Sequence, residues 1–513
     1  MAHHPPVLLR YLRSLTGFER DARLFLLVTV ASGSAVSLWW IDFNLYLRSL
    51  GIDPALIGLV ATAGSAASLV IAFPTSIVSD RVGRRLVLLG GAALMTAAFV
   101  GLLVTSALPA LFLLAAAFAA GNGAMSVVSQ PFLAEHSRAD ERSELFAVQF
   151  AISNGTNVAA ALLGGFIAQA VAQAGGFDPQ GPQAYRVLIA LMAGLGLVAV
   201  LLLTRLRDDR PGRSAGRIEL TERADGEVGQ QGGSGTSGVS GVGLPDVHRS
   251  SERRRTVGLS SILRDGIRVS DRGDFARLLL PGFLISLGAG QVIPFLNVFI
   301  EGRFGLQLAS LNALFAITGL GTLVATLIQP ALARRFGKIG SVVLVQAASI
   351  PFIVVLGFSP IFWTVAVAMA VRNSLMNAGN PIFGAFAMER VRPEERATFS
   401  AASSLLWSLG WVIAGPWYSL LQATLGFNAG YMVNFITIIV LYTIGTALYW
   451  IWFGRSERRA LLSGDGSAGG RVSAGRASSA GDLSGAHGSA GASAGGTASA
   501  PASPHGVRAR PKP

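Results

Sequence analysis

The sequence predicts an all-α membrane protein of twelve transmembrane helices in two pseudo-symmetric six-helix bundles. Three observations predict it: a succession of apolar runs of about 20 residues, the length a helix needs to cross a bilayer; basic residues gathered in alternate short loops; and loop motifs that recur at one fixed spacing. Only 13% of the 513 residues are charged and 51% are hydrophobic. A soluble domain carries roughly a quarter charged residues.

The chain opens with a polar, basic segment, 1–23 (Arg10, Arg13, Arg20, Arg23), read as a short surface helix. It has no apolar core or small-residue cleavage site, so no cleavable signal is expected and the first span serves as its own insertion signal. An N-terminal bundle occupies 24–204, with runs near 24–47, 55–79, 86–106, 109–134, 145–172 and 185–204. A polar linker follows over 205–274. Its Gly-, Ser- and Gln-rich centre cannot bury a core and reads as disordered, while 259–267 has the pattern of an amphipathic helix lying on the inner membrane face. A C-terminal bundle occupies 275–453, with runs near 275–300, 309–333, 340–358, 360–388, 398–424 and 428–453. The tail, 454–513, is Gly/Ala/Ser-rich and of low complexity.

With the amino terminus inside, the short inner loops carry Arg81, Arg84, Arg85, Arg138, Arg142, Arg334, Arg335, Lys338, Arg390, Arg392 and Arg396; the outer loops carry Arg48, Arg186 and Arg303. This asymmetry sets both termini in the cytoplasm of a cell-membrane protein. Gly83 in Asp-Arg-Val-Gly-Arg and Gly337 in Arg-Arg-Phe-Gly-Lys lie 254 residues apart. Glu141-Arg142 and Glu395-Arg396 keep the same spacing, as do Glu135 and Glu389. Two loops and a glutamate sharing one offset point to a duplicated six-helix unit.

The formal charge of +13 sits between apolar runs and in the polar segments with no recognition motif, so it reads as a membrane-surface feature and not as nucleic-acid binding. There is no cysteine, and the six histidines are scattered; no disulfide, thiolate site, metal site or cofactor is expected. No phosphate-binding loop and no nucleophile paired with a base is visible, which argues against an enzyme.

The stretch Asp80-Arg81-Val82-Gly83-Arg84-Arg85, between the second and third runs, resembles the signature loop of the major facilitator superfamily of secondary transporters. Ser76 stands where that family usually has a glycine. The resemblance covers about 24–453. It implies alternating access by two rocking halves, a substrate site near the midplane on the first, fourth, seventh and tenth helices, and a gating role for Asp80 against the start of the eleventh helix, near 396–399, where exposed N–H groups favour a carboxylate. Arg334 replaces the aspartate in the second copy, so that loop (Arg334, Arg335, Gly337) is expected to face Glu141 or Glu144 instead.

Polar residues in those helices are costly unless they face water or a partner. On the first helix, Asp42, with Asn44 close by, reads as a proton-binding carboxylate or the partner of a cationic substrate; some members of the family use an acidic residue on this helix in that way. The alternative is a carboxylate near the outer interface, hydrated or paired with Arg48 or Arg303. The fourth helix offers Asn122, Ser126, Ser129 and Gln130, the fifth Gln149, Asn154 and Asn157, and the seventh Gln291 and Asn297. On the tenth, Arg372 lies roughly 18 Å from the outer end. A guanidinium cannot shed its charge, so it holds an anionic substrate group or makes a fixed structural pair. Asn373, Asn377 and Asn380 follow on one face as a cavity wall or as interhelical ties. Trp407 and Trp411, one turn apart on the eleventh helix, cover a hydrophobic part of the cavity, face lipid or pack against neighbours.

The expected function is secondary active transport of a small organic solute, proton-coupled, by a monomer that needs only its substrate, the lipid bilayer and protons. A multidrug efflux antiporter is the alternative; it is weakened because the fifth helix keeps Gly155, Gly164 and Gly165 but no proline. A non-transporting receptor on the same scaffold is less favoured, because such a bundle would gain by replacing Arg372 and the asparagines with apolar residues.

Overall fold

The computed structural model describes residues 18–137, 141–207 and 272–454. The surface helix expected within 1–23, most of the linker with its 259–267 segment, and the tail lie largely or wholly outside the described residues. The described chain runs α1 Arg20–Ser49, α2 Pro54–Val82, α3 Arg84–Val104, α4 Leu108–Glu135, α5 Arg142–Gly175, α6 Pro182–Thr204, α7 Arg272–Phe304, α8 Leu308–Phe336, α9 Lys338–Phe358, α10 Phe362–Arg390, α11 396–425 and α12 427–449, closing on a π turn, Trp450–Gly454. No strand occurs among the described residues.

Among the described residues, ten stretches are long and apolar enough to cross a membrane. The last, Thr398–Gly454, contains two helices, because Gly426 takes φ +73° and reverses the chain. The twelfth span is α10, 29 residues long, whose apolarity is diluted by Arg372 and three asparagines. Several helices outrun the apolar runs: α1 has 30 residues, about 45 Å, against a hydrocarbon core of about 30 Å, so their ends stand in the headgroup layer. The outer surface is apolar, with Val104 82%, Trp363 74%, Val70 71% and Leu113 70% exposed. Such a belt is stable in lipid and an aggregation hazard in water.

The duplication is visible in the packing. α2 lies on α4 and α3 on α4; α8 lies on α10 and α9 on α10. Across the halves, α2 packs on α11 and α8 on α5. Arg84 is paired with Glu135 at 2.5 Å, and Lys338 is paired with Glu389. Each member of the second ion pair lies 254 residues after its counterpart in the first. Gly83 and Gly337 hold φ of +97° and +77° between their helices, a backbone region that a residue with a Cβ resists.

Candidate functional site

Hydrogen bonds and an ion pair tie the halves together at the end of the bundle away from the Gly83 and Gly337 loops. α7 is interrupted there by a 3-10 turn, Ile293–Phe295, and the helix restarts at Leu296. The restart leaves its first N–H groups and the Pro294 carbonyl outside the regular ladder. The side-chain oxygen of Asn297 accepts from the Val298 N–H at 2.8 Å. Asn44 of α1 donates to the Pro294 carbonyl at 2.6 Å. Asn297 in turn donates to the Ile41 carbonyl at 2.5 Å. Positions 41 and 44 are related to 294 and 297 by a shift of 253, so the two amide bonds are copies of each other about the pseudo-twofold axis. The same shift takes Arg48 to Glu301, and these two form an ion pair at 3.1 Å. Arg48 also donates to the Val298 carbonyl at 3.1 Å.

A second tie lies deeper. Asp42 is 2% exposed. Its Oδ1 accepts from Asn312 of α8 at 2.9 Å, while Oδ2 has no partner. Asn312 reaches it because α5 and α8 approach closely. A Cβ added at Gly165 would stand 2.7 Å from the Asn312 Cβ and 3.2 Å from the Ala309 Cα. A buried carboxylate with one hydrogen bond and one bare oxygen is a costly arrangement, held here by a residue from the opposite half.

Two cavities adjoin these ties. The first, about 280 Å³, is lined by Trp39, Trp40, Phe43 and Asn44 of α1, Thr62, Ser65 and Ser68 of α2, Phe118 and Asn122 of α4, Phe295 of α7, and Trp407 and Trp411 of α11, among others. Trp39 is stacked between Phe43 (3.8 Å) and Phe118 (3.9 Å), which makes that wall rigid. The second, about 300 Å³, is bounded by Trp40, Pro294, Phe315, Thr318, Met369, Arg372, Asn373 and Trp411. Trp40 and Trp411 meet edge to face at 6.0 Å and belong to both. Arg372, 5% exposed, donates from Nη2 to the Tyr442 hydroxyl at 2.7 Å, and its Nε has no partner.

A twelve-helix duplicated bundle with central cavities can be compared with known proteins. The sequence profile described as Major Facilitator Superfamily matches residues 25–415. The chain belongs to the Major Facilitator Superfamily. Solved structures with the same fold include the nucleoside transporter NupG (TM-score 0.62, 12% identity, 84% of this chain and 99% of that one) and a D-xylose-proton symporter (0.60, 14%, 86% and 97%). A bacterial homolog of the human lysosomal transporter Spinster, in an inward-facing and occupied conformation, is similar to the same degree (0.59, 14%, 86% and 97%). At these identities the likeness is one of fold. No curated protein sequence matches the chain. Family membership points to a membrane transporter rather than an enzyme.

Within this superfamily fold, the residues expected to serve a site divide into three groups. Asn44, Asn122, Trp407 and Trp411 line the first cavity, and Arg372, Asn373 and Trp411 the second. Asp42, Asn297 and Gln291 are buried among helices. Gln291 donates to the Leu287 carbonyl at 3.2 Å and leaves its own oxygen bare. The remainder line neither cavity: Asn377 bonds back to Asn373, Ser126 to the Asn122 carbonyl and Gln130 to Gln149, and Asn380 is exposed. Asp42 meets neither Arg48 nor Arg303, since Arg48 takes Glu301 and Arg303 donates to the Gly357 carbonyl. Sequence reading did not single out Asn312, Tyr442 or the Trp39–Trp40 pair. A lone asparagine in the apolar run of α8 was the available signal for the first, and adjacent tryptophans on a site helix for the last.

At the opposite end, Asp80, Arg81, Arg334 and Arg335 are exposed. Asp80 has no hydrogen bond or ion pair among the described residues. Arg85 donates to the carbonyls of Leu203 and Thr204 at 3.4 and 2.7 Å, the carbonyl end of α6, where a cation is favoured. At the Arg48–Glu301 end, by contrast, an ion pair and two reciprocal amide bonds join the halves and seal that end.

Proposed function

We propose that the protein is a proton-linked secondary transporter that carries a small organic solute by alternating access as a monomer. The charge asymmetry favours basic loops on the cytoplasmic side of a cell membrane, with the sealed end facing outward and the solute cavity served from inside. One observation carries the reading: Asp42, a buried carboxylate that lines neither cavity itself but is flanked in α1 by the cavity-lining Ile41 and Phe43, ties one half of the molecule to the other through Asn312. When the sealed end opens, that bond must break and water must reach the carboxylate. A group whose surroundings differ between two states binds protons differently in them, and proton binding biases the two states in return. Asp80, exposed in this state, is available to close the inner end against the start of α11 when the outer end parts.

The test is flux in proteoliposomes. A pH gradient should drive solute accumulation that a protonophore abolishes, and Asp42→Asn should remove the pH dependence while keeping solute exchange. Unchanged pH-driven flux in D42N would reject Asp42 as the coupling group. The aromatic lining of the first cavity also fits the alternative, export of lipophilic compounds; the direction of proton-linked flux separates the two.

A further inference from the structure

We infer that the two cavities form one binding site for an aromatic organic anion, with the ring held between Trp40, Trp407 and Trp411 and the anionic group on Arg372. The inference rests on the transporter reading for its setting but concerns binding alone. Arg372 carries a permanent charge and is 95% buried by its 5% exposure. A guanidinium has five N–H donors. The protein uses one bond, to Tyr442, and Nε is left bare. No ion pair joins Arg372 to a carboxylate among the described residues: Asp42 is held by Asn312, and Glu301 is held by Arg48. Leaving a buried charge unpaired is among the most expensive arrangements in a fold, and least tolerable at the depth of a membrane. Tyr442 offers its ring face at 5.6 Å and a hydroxyl, both neutral. The compensating negative charge has to come from whatever enters the second cavity.

The first cavity supplies the other half of the specificity. It has aromatic walls, no charged side chain, and a few hydroxyls and amides that can orient a ligand. Trp40 and Trp407 keep 49% and 44% of their surfaces exposed although they stand at the cavity, so their faces remain available for stacking. Trp411, which borders both compartments, has an indole N–H with no partner. A flat, apolar body in the first compartment places an acidic substituent past the Trp40–Trp411 edge and against the guanidinium. A carboxylate matches the planar fork of arginine. Each compartment lies at the lower end of the range for small-molecule pockets, about 300–1,000 Å³, so one ring fills the first and its acidic substituent reaches into the second.

The test is equilibrium binding to the purified full chain, by calorimetry and tryptophan fluorescence. The panel is phenylacetate, its neutral isostere phenylacetamide, the cation phenethylamine, acetate, chloride and inorganic phosphate. Phenylacetate should bind about tenfold or more tighter than phenylacetamide, the scale of a charge-assisted bond, and perturb tryptophan emission. Arg372→Gln should erase that preference, and Arg372→Lys should keep its sign at reduced size. Trp411→Ala should weaken both aromatic ligands alike while leaving the preference in place. Equal binding of phenylacetate and phenylacetamide to the wild type overturns the inference, and this comparison decides even where R372Q fails to fold. Acetate, chloride or phosphate binding as tightly as phenylacetate overturns its aromatic half. Anion binding without flux would sink the transport reading and leave this one standing; proton-linked flux of neutral solutes with no anion preference would do the reverse.

Discussion

Gly165 is where a single methyl group should move the whole molecule. It lies on α5 against α8 in the interface that brings Asn312 to Asp42. A Cβ at this position would meet the Asn312 Cβ at 2.7 Å and the Ala309 Cα at 3.2 Å. Neither of those atoms can rotate away, because both are fixed by the α8 backbone. The helices must part by about 1 Å to reach ordinary contact, and overpacking of this kind costs about 1–3 kcal/mol. The cost falls on the sealed state alone, since these surfaces separate when that end opens. Gly165→Ala should therefore reduce the sealed population relative to the open one by about 5- to 150-fold. Gly155→Ala on the same helix is the control: nothing lies within 4 Å of the added atom, so it shares the gain in helix propensity without the clash. The chain has no cysteine, so Ser106→Cys and Ile361→Cys, in the α3–α4 and α9–α10 connections at the sealed end, take spin labels without background. Distance distributions should lengthen in G165A and stay as wild type in G155A. Identical distributions in G165A and wild type would refute the interface as the seal.

The remaining predictions concern the same architecture. Glu301→Gln should also favour the open state, by about 1–2 kcal/mol for a half-buried charge-assisted pair, and R48Q/E301Q together should cost less than the sum of the single changes in the same label experiment. Asn44→Ala and Asn297→Ala, which remove the two copies of one reciprocal bond, should shift the distances by similar amounts; an effect confined to one of them would contradict the pseudo-symmetric seal. Gly83→Ala, at φ +97°, should lower thermal stability by about 1–2 kcal/mol, whereas Gly90→Ala, helical and in open space, should be neutral or stabilising.

The order of helices was legible because lipid imposes it: apolar runs set the spans, and basic loops mark their turns. The repeat was legible because Gly83 and Gly337 sit in tight loops and Glu135 and Glu389 at helix ends, where packing does not blur the spacing, and the structure pairs those glutamates with Arg84 and Lys338. The site was only partly legible. An amide inside a membrane helix can line water or tie two helices together, and spacing within one helix does not distinguish them. Asn122 and Asn373 went to cavities, while Asn297 went to the reciprocal bond with Ile41 that the break at Pro294 makes available. Asn312 escaped notice because its partner is 270 residues away, and only the meeting of α1, α5 and α8 brings them together. Arg372 stood out by charge alone, but its hydroxyl partner on α12 did not.

Proton coupling through Asp42 requires that protonation of this carboxylate move the seal. The label pair at positions 106 and 361 should be read in acid and in alkaline buffer, in wild type and in Asp42→Asn. The ratio of short to long distances should change with pH in the wild type and stay flat in D42N. A flat wild-type profile, or an equal pH response in D42N, would contradict it.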